Sequence, residues 1–219
     1  MQPKSPIVGI LGAGRVGTAL ARLALAADYQ VRIATSRPPE EIALLAEIVT
    51  PGARPGAAAE IMAASDIVIL ALPLSRYRTL VPGLLAGKVV IDPMNYWAST
   101  DGTMPEFEGE QSSSEVVQQF LPGARLVRSF NHMGYHEIEQ EARPRGQSGR
   151  RSLALAGDDA DARKAVASFI DELGYDPVDA GPLAASRSFG IGTPIFGGGF
   201  SSAELAERLG VTLEADENA

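Results

Sequence analysis

The stretch Ile7-Val8-Gly9-Ile10-Leu11-Gly12-Ala13-Gly14-Arg15-Val16-Gly17 leaves the chain few folds to choose from. A short apolar run enters Gly-x-Gly-x-x-Gly, and apolar residues then recur at Val16, Ala19, Leu20, Leu23 and Ala27. That is the 3.6-residue period of one buried helix face. Strand, glycine turn and helix in this order form the setting in which such a turn binds a dinucleotide. Gly12 permits the tight turn, Gly14 lets backbone approach a pyrophosphate, and Gly17 lets the helix pack closely on the strand. Arg15 and Val16 open the helix, at the positive end of its dipole.

Tyr29 to Ala34 alternates apolar and polar residues and reads as a second strand ending at Thr35-Ser36-Arg37. Cofactor choice is made about 20 residues beyond the glycine turn. A carboxylate here would accept from a ribose 2′-hydroxyl and repel a 2′-phosphate. Two hydroxyls and a guanidinium suit the phosphate instead, so the expected cofactor is NADP(H) rather than NAD. The competing reading turns Arg37 to solvent and leaves Glu40 or Glu41 near the ribose.

Further along, Ile67 to Ala71 and Lys88 to Ile91 are continuous apolar runs, as in parallel strands covered on both faces. They end at Leu72-Pro73 and at Asp92-Pro93-Met94-Asn95, where ligands gather in open α/β sheets. Ala71, Leu72, Pro73 and Asn95 are therefore candidate cofactor contacts; Asn95 reads equally as a local turn. Helices are expected over Pro38–Val49, Ala57–Ala64, Tyr77–Leu85, from the capping box at Ser112-Ser113-Ser114-Glu115, after Asp158 or Asp159, from Pro182, and over Ser201–Leu209. Further strands are expected at Arg125–Phe130, Leu153–Gly157 and Pro177–Gly181. The fold class is α/β, a Rossmann-type doubly wound parallel sheet with a small C-terminal α/β extension.

A net charge of −8 disfavours nucleic acid as a partner, and the absence of cysteine removes disulfides, zinc thiolates and thiol nucleophiles. No apolar stretch reaches the length of a signal peptide core or a membrane span, so a cytoplasmic protein without a membrane partner is expected. His132 and His136 stand four apart, but Gly134 weakens a helix between them, and no metal site is expected. Arg143, Arg145, Arg150 and Arg151 form a basic stretch in an acidic chain, read either as solvated or as facing an anionic substrate. Groups suited to acid–base work are scarce. Hydride transfer between two bound rings needs alignment more than it needs a protein acid.

With these pieces placed, the sequence resembles the NADPH-dependent reductases of the deazaflavin coenzyme F420, a domain also found in the cytoplasmic part of membrane ferric reductases, where it works with a flavin. The resemblance rests on Gly12–Gly17, Thr35-Ser36-Arg37, Ala71-Leu72-Pro73 and Asp179-Ala180-Gly181-Pro182-Leu183-Ala184-Ala185-Ser186-Arg187. It implies an NADP-binding Rossmann domain over residues 1–130 and a small domain over 131–219 closing the substrate cleft. It also implies that Ser36 and Arg37 hold the 2′-phosphate, that Leu72 and Pro73 lie beside the nicotinamide, and that His132, Met133 and residues 182–200 line the deazaflavin pocket. His132 is the expected catalytic residue, positioning the second ring. The acidic tail of the deazaflavin gives the arginines of 143–151 a partner. Phe189–Phe200 is richer in glycine than the family pattern, and Asn131–His136 departs from its usual wording. The expected activity is hydride transfer between NADP(H) and coenzyme F420 or a flavin, with a homodimer as the expected assembly. The alternatives are reduction of a small imine or carbonyl, and non-catalytic NADP(H) sensing.

Overall fold

Parallel strands need long crossovers, and the alternation of apolar runs with helical patterns supplies them. The computed structural model describes residues 6–213; the acidic end of the chain lies outside them. The strands are β1 (Ile7–Leu11), β2 (Gln30–Ala34), β3 (Arg54–Pro55), β4 (Ile67–Ile69), β5 (Val89–Asp92), β6 (Arg125–Arg128), β7 (Ser152–Gly157) and β8 (Asp176–Asp179). They form one sheet in the order β3-β2-β1-β4-β5-β6-β7-β8. The first six are mutually parallel, β7 runs antiparallel to β6, and β8 runs parallel to β7. The helices are α1 (Arg15–Ala26), α2 (Pro39–Val49), α3 (Ala58–Ala64), α4 (Pro82–Leu85), α5 (Ala98–Asp101), α6 (Ser113–Phe120), α7 (Glu137–Gln140), α8 (Ala160–Glu172) and α9 (Ser202–Leu209).

The period-2 geometry of the strands sends alternate side chains into two cores. Val8, Ile10, Ile69, Ile91 and Val127 pack with Leu20 of α1 and Val166 and Phe169 of α8. Val68, Leu70, Val90 and Leu126 pack with Ile61 of α3 and Val117 of α6. A third cluster joins Ala154 and Ala156 of β7 and Val178 of β8 to Phe189 and Leu205.

Local chemistry explains most boundaries. Ser112 and Glu115 form the capping box of α6, Ser201 and Glu204 that of α9, and Asp159 caps α8 by accepting from the Ala162 N–H. The helix expected over Tyr77–Leu85 is instead a 3-10 turn, Leu74–Thr79, followed by α4. Pro82 cannot donate an N–H and holds Val81 extended, so one continuous helix is not available. The strand expected to reach Phe130 stops at Arg128, because Phe130 adopts φ +61° and leaves the ladder. The helix expected from Pro182 is a 3-10 turn, Leu183–Phe189. The buried face of α1 runs through Gly17, Ala21 and Ala24, while Val16 and Leu23 are half-buried. Small residues let this helix lie close to the sheet.

Candidate functional site

Strand order reverses at β1, which has β2 on one side and β4 on the other, and such a switch point opens a crevice at the carboxyl ends of the strands. The glycine turn lies in that crevice. Gly12 has φ +127°, and a Cβ there would stand 2.0 Å from the Ala71 carbonyl oxygen just past β4. A Cβ on Gly17 would stand 2.0 Å from the Gly12 carbonyl oxygen. Nothing lies within 4 Å of a Cβ built on Gly14, so the space over the first turn of α1 is open to ligand atoms. No side chain caps α1 and no acid stands in its first turn. Its leading N–H groups and its dipole are thus left for an anion, and the cradle fits a dinucleotide diphosphate.

The Gly12 N–H donates to the Ala34 carbonyl at 2.8 Å, which ties the turn to the end of β2 and brings Thr35, Ser36 and Arg37 beside it. Thr35 Oγ1 accepts from the Arg37 N–H at 3.0 Å, and Ser36 and Arg37 are exposed. Among the described residues no carboxylate pairs with Arg37. Glu40 and Glu41 stand in the first turn of α2, where its dipole favours them. Ala71 and Leu72 are half-buried beside the glycines, and Pro73 leads into the 3-10 turn.

At the ends of β5 and β6 the polar groups are bonded to one another. Arg128 and Asp92, opposite each other in register, form a fully buried ion pair at 3.3 Å. Arg128 also donates to the Met94 carbonyl and to Asn95 Oδ1, and Asn95 Nδ2 donates to the Asn131 carbonyl at 2.6 Å. Asn95 therefore has its amide engaged at both ends, and its place is that of a strut between β5 and β6 rather than a free nicotinamide contact.

His132 also departs from expectation. It is 1% exposed, with its ring edge-on to Phe189 at 5.2 Å. Nε2 accepts from the Ala154 N–H at 3.2 Å, which leaves the proton on Nδ1, 3.3 Å from Asn131 Oδ1. Burial, and secondarily the charges of Arg151 and Arg128, push its pKa from 6.5 down to about 3. It is a neutral internal link between β6 and β7, not the ring-positioning residue expected. His136 is exposed, and among the described residues no three metal-ligating side chains cluster.

Of the arginines of 143–151, Arg150 and Arg151 are buried and paired inside the protein, whereas Arg143 is half-buried and Arg145 exposed. Arg150 pairs with Asp171 and Asp176, Arg151 with Glu137 and Glu141, Arg145 with Asp171, and Arg143 donates to the carbonyls of Gln140 and Ala142. The buried Arg150 and Arg151 are not available to an anionic substrate tail. Sequence reasoning missed three features: the Arg128–Asp92 pair, Tyr135, whose hydroxyl meets Arg15, and the exposed Trp97. An arginine in a strand buried on both faces was the one available signal, since it requires a buried carboxylate.

Comparison with known proteins agrees with this geometry. Residues 7–96 match the family described as NADP oxidoreductase, coenzyme F420-dependent. The chain is 25% identical over 186 residues to Metalloreductase STEAP3 of Rattus norvegicus, covering 84% of this chain and 36% of that protein. It thus spans about a third of that curated relative. The solved hypothetical protein SMa0349 of Sinorhizobium meliloti is similar at 29% identity and a TM-score of 0.77, covering 89% of this chain and 95% of that one. A structure from Arthrobacter sp. FB24, described as a candidate F420-dependent NADP-reductase, shares the fold at 24% identity and a TM-score of 0.75, covering 94% and 96%. Residues 7–96 are therefore similar to the NADP-binding part of the coenzyme F420-dependent NADP oxidoreductases, and the surrounding chain shares the fold of the solved structures.

Proposed function

We propose that this protein transfers hydride between NADP(H) and a planar acceptor ring, a deazaflavin such as coenzyme F420 or a flavin. One observation carries the reading: the polar side chains at the ends of β5 and β6 are already bonded within the protein. His132 is neutral and linked to Ala154, Asn95 spans Arg128 and Asn131, and Asp92 holds Arg128. Carbonyl or imine reduction calls for a proton donor aimed at the developing anion. Passage of hydride between rings calls for reacting atoms held about 3–3.5 Å apart.

Bound NADPH supplies hydride from nicotinamide C4; water supplies the accompanying proton, leaving NADP⁺ and the dihydro form of the acceptor. Gly12, Gly14, Arg15, Val16 and Gly17 hold the diphosphate in this reading, and Thr35, Ser36 and Arg37 hold the 2′-phosphate. Ala71, Leu72 and Pro73 lie along the nicotinamide. Among the described residues, those beyond 130 close the cleft over the domain formed by those up to 130 in this reading. The test mixes the protein with NADPH and coenzyme F420, then separately with FMN and FAD, and follows NADPH absorbance. Turnover of one of these rings is the expected result. NADPH oxidation with an imine alone, or tight NADPH binding with no acceptor turned over, overturns the proposal.

A further inference from the structure

Trp97, the single tryptophan of the chain, is 47% exposed and belongs to none of the three apolar cores. It follows β5 and sits at the N-cap of α5. Its backbone N–H donates to one carboxylate oxygen of Asp101 at 3.0 Å, and the other oxygen accepts from the Ser75 N–H at 3.3 Å. Ser75 lies two residues past Pro73, so one carboxylate pins Trp97 to the segment leaving β4. On its other side the indole meets Phe196 edge to face, with centroids 6.1 Å apart and planes at 71°. The neighbouring Gly197 N–H donates to the His132 carbonyl at 2.9 Å, anchoring Phe196 to the segment leaving β6. The aromatic pair therefore bridges the carboxyl ends of β4, β5 and β6, where the crevice runs.

Aromatic side chains gain by burial, and a tryptophan pinned from two sides yet half in solvent is a surface kept for a ligand. Phe196 fixes the plane of the indole without covering it. We infer that Trp97, backed by Phe196, is the stacking platform for the acceptor, a planar, electron-poor heteroaromatic ring of flavin size. The inference rests on the hydride-transfer reading above, to which it adds the residue that selects the acceptor by ring shape. Stacking tolerates different ring substituents because it reads only the π-face.

The lone tryptophan makes whole-protein emission a direct report on the platform. FMN and coenzyme F420 are each titrated into the protein with NADP⁺ present, reading tryptophan emission and, in parallel, binding heat. Saturable quenching by one of the rings is expected. Trp97→Leu should weaken that ring's binding about ten-fold, Trp97→Phe should retain most of it, and NADP⁺ affinity should stay unchanged in both. A ring that binds and turns over equally well in Trp97→Leu overturns the platform and leaves the hydride-transfer reading intact. If no ring is turned over, that reading fails, and the binding data still decide the platform: binding weakened by Trp97→Leu supports it, and absence of binding overturns it.

Discussion

Arg15 donates to the Tyr135 hydroxyl at 2.6 Å, and its guanidinium carbon lies 4.7 Å from the centre of the Tyr135 ring. Arg15 opens α1 beside β1, while Tyr135 follows β6. With β4 and β5 between them, the contact spans about 14 Å of sheet at normal strand spacing. Tyr135 orients the guanidinium without neutralising it, so a cation is held ready beside the uncapped end of α1. Arg15→Ala should raise the Kd for NADPH at least ten-fold, as loss of a charged hydrogen bond worth ~1.5–3 kcal/mol implies. Tyr135→Phe keeps the stacked ring and should cost about three-fold, or ~0.7 kcal/mol. Fluorescence titration at low and high salt checks both, with the Arg15→Ala effect shrinking as salt screens the contact. An unchanged Kd in Arg15→Ala would take Arg15 out of the diphosphate site.

In the proposed reading Arg37 carries the choice between the two nicotinamide cofactors. It is exposed, without an ion-pair partner among the described residues, and its N–H is held by Thr35 Oγ1. Arg37→Glu replaces a phosphate-gripping fork with a repelling carboxylate. NADPH binding should weaken about a hundred-fold, or ~2.7 kcal/mol. NADH, which lacks the phosphate, should change less than about three-fold, or ~0.7 kcal/mol. Equal losses for both cofactors would place the ribose elsewhere.

Two glycines of the turn, Gly17 and Gly14, should fail in different ways. Alanine at Gly17 drives its Cβ against the Gly12 carbonyl oxygen, a backbone atom that cannot step aside alone, so α1 must shift. The cost should be about 2–3 kcal/mol of stability, read as a lowered thermal midpoint. Gly14→Ala meets nothing in the protein. Its stability should stay within about 0.5 kcal/mol of the parent. The added methyl then occupies ligand space, and the Kd for NADPH should rise. If Gly14→Ala bound NADPH normally, the diphosphate would not pass over this turn.

Legibility in the sequence followed the range of the interactions. The glycine turn, the two-sided apolar strands and the capping boxes are set by residues within a few positions of one another, and they stand where the sequence puts them. The direction of β7 is not local. The 23-residue connection between β6 and β7 contains only the single turn of α7, and the chain returns antiparallel. The basic stretch misled because its carboxylate partners, Glu137, Glu141, Asp171 and Asp176, lie 10 to 26 residues away. His132 misled because a histidine at a strand end looks open until Phe189 and Ala154 close over it.

That enclosure gives His132 a measurable pH signature. In the folded protein its pKa lies near 3, against 6.5 for the free side chain, with desolvation the first cause and the charges of Arg151 and Arg128 next. Between those values the unfolded chain holds a proton that the folded chain refuses. Stability is therefore complete above the unfolded pKa and falls as pH drops, by up to about 1.4 kcal/mol per pH unit from this group. His132→Gln retains a carbonyl oxygen that can accept from the Ala154 N–H and does not titrate. Urea unfolding in steps from about pH 7 to about pH 4 should give a steeper decline for the parent than for the variant, by up to that slope. The carboxylates titrate alike in both proteins and cancel in the difference. Parallel curves would mean that His132 takes up its proton without unfolding, and the ring would then have the access to water and substrate that its packing denies it.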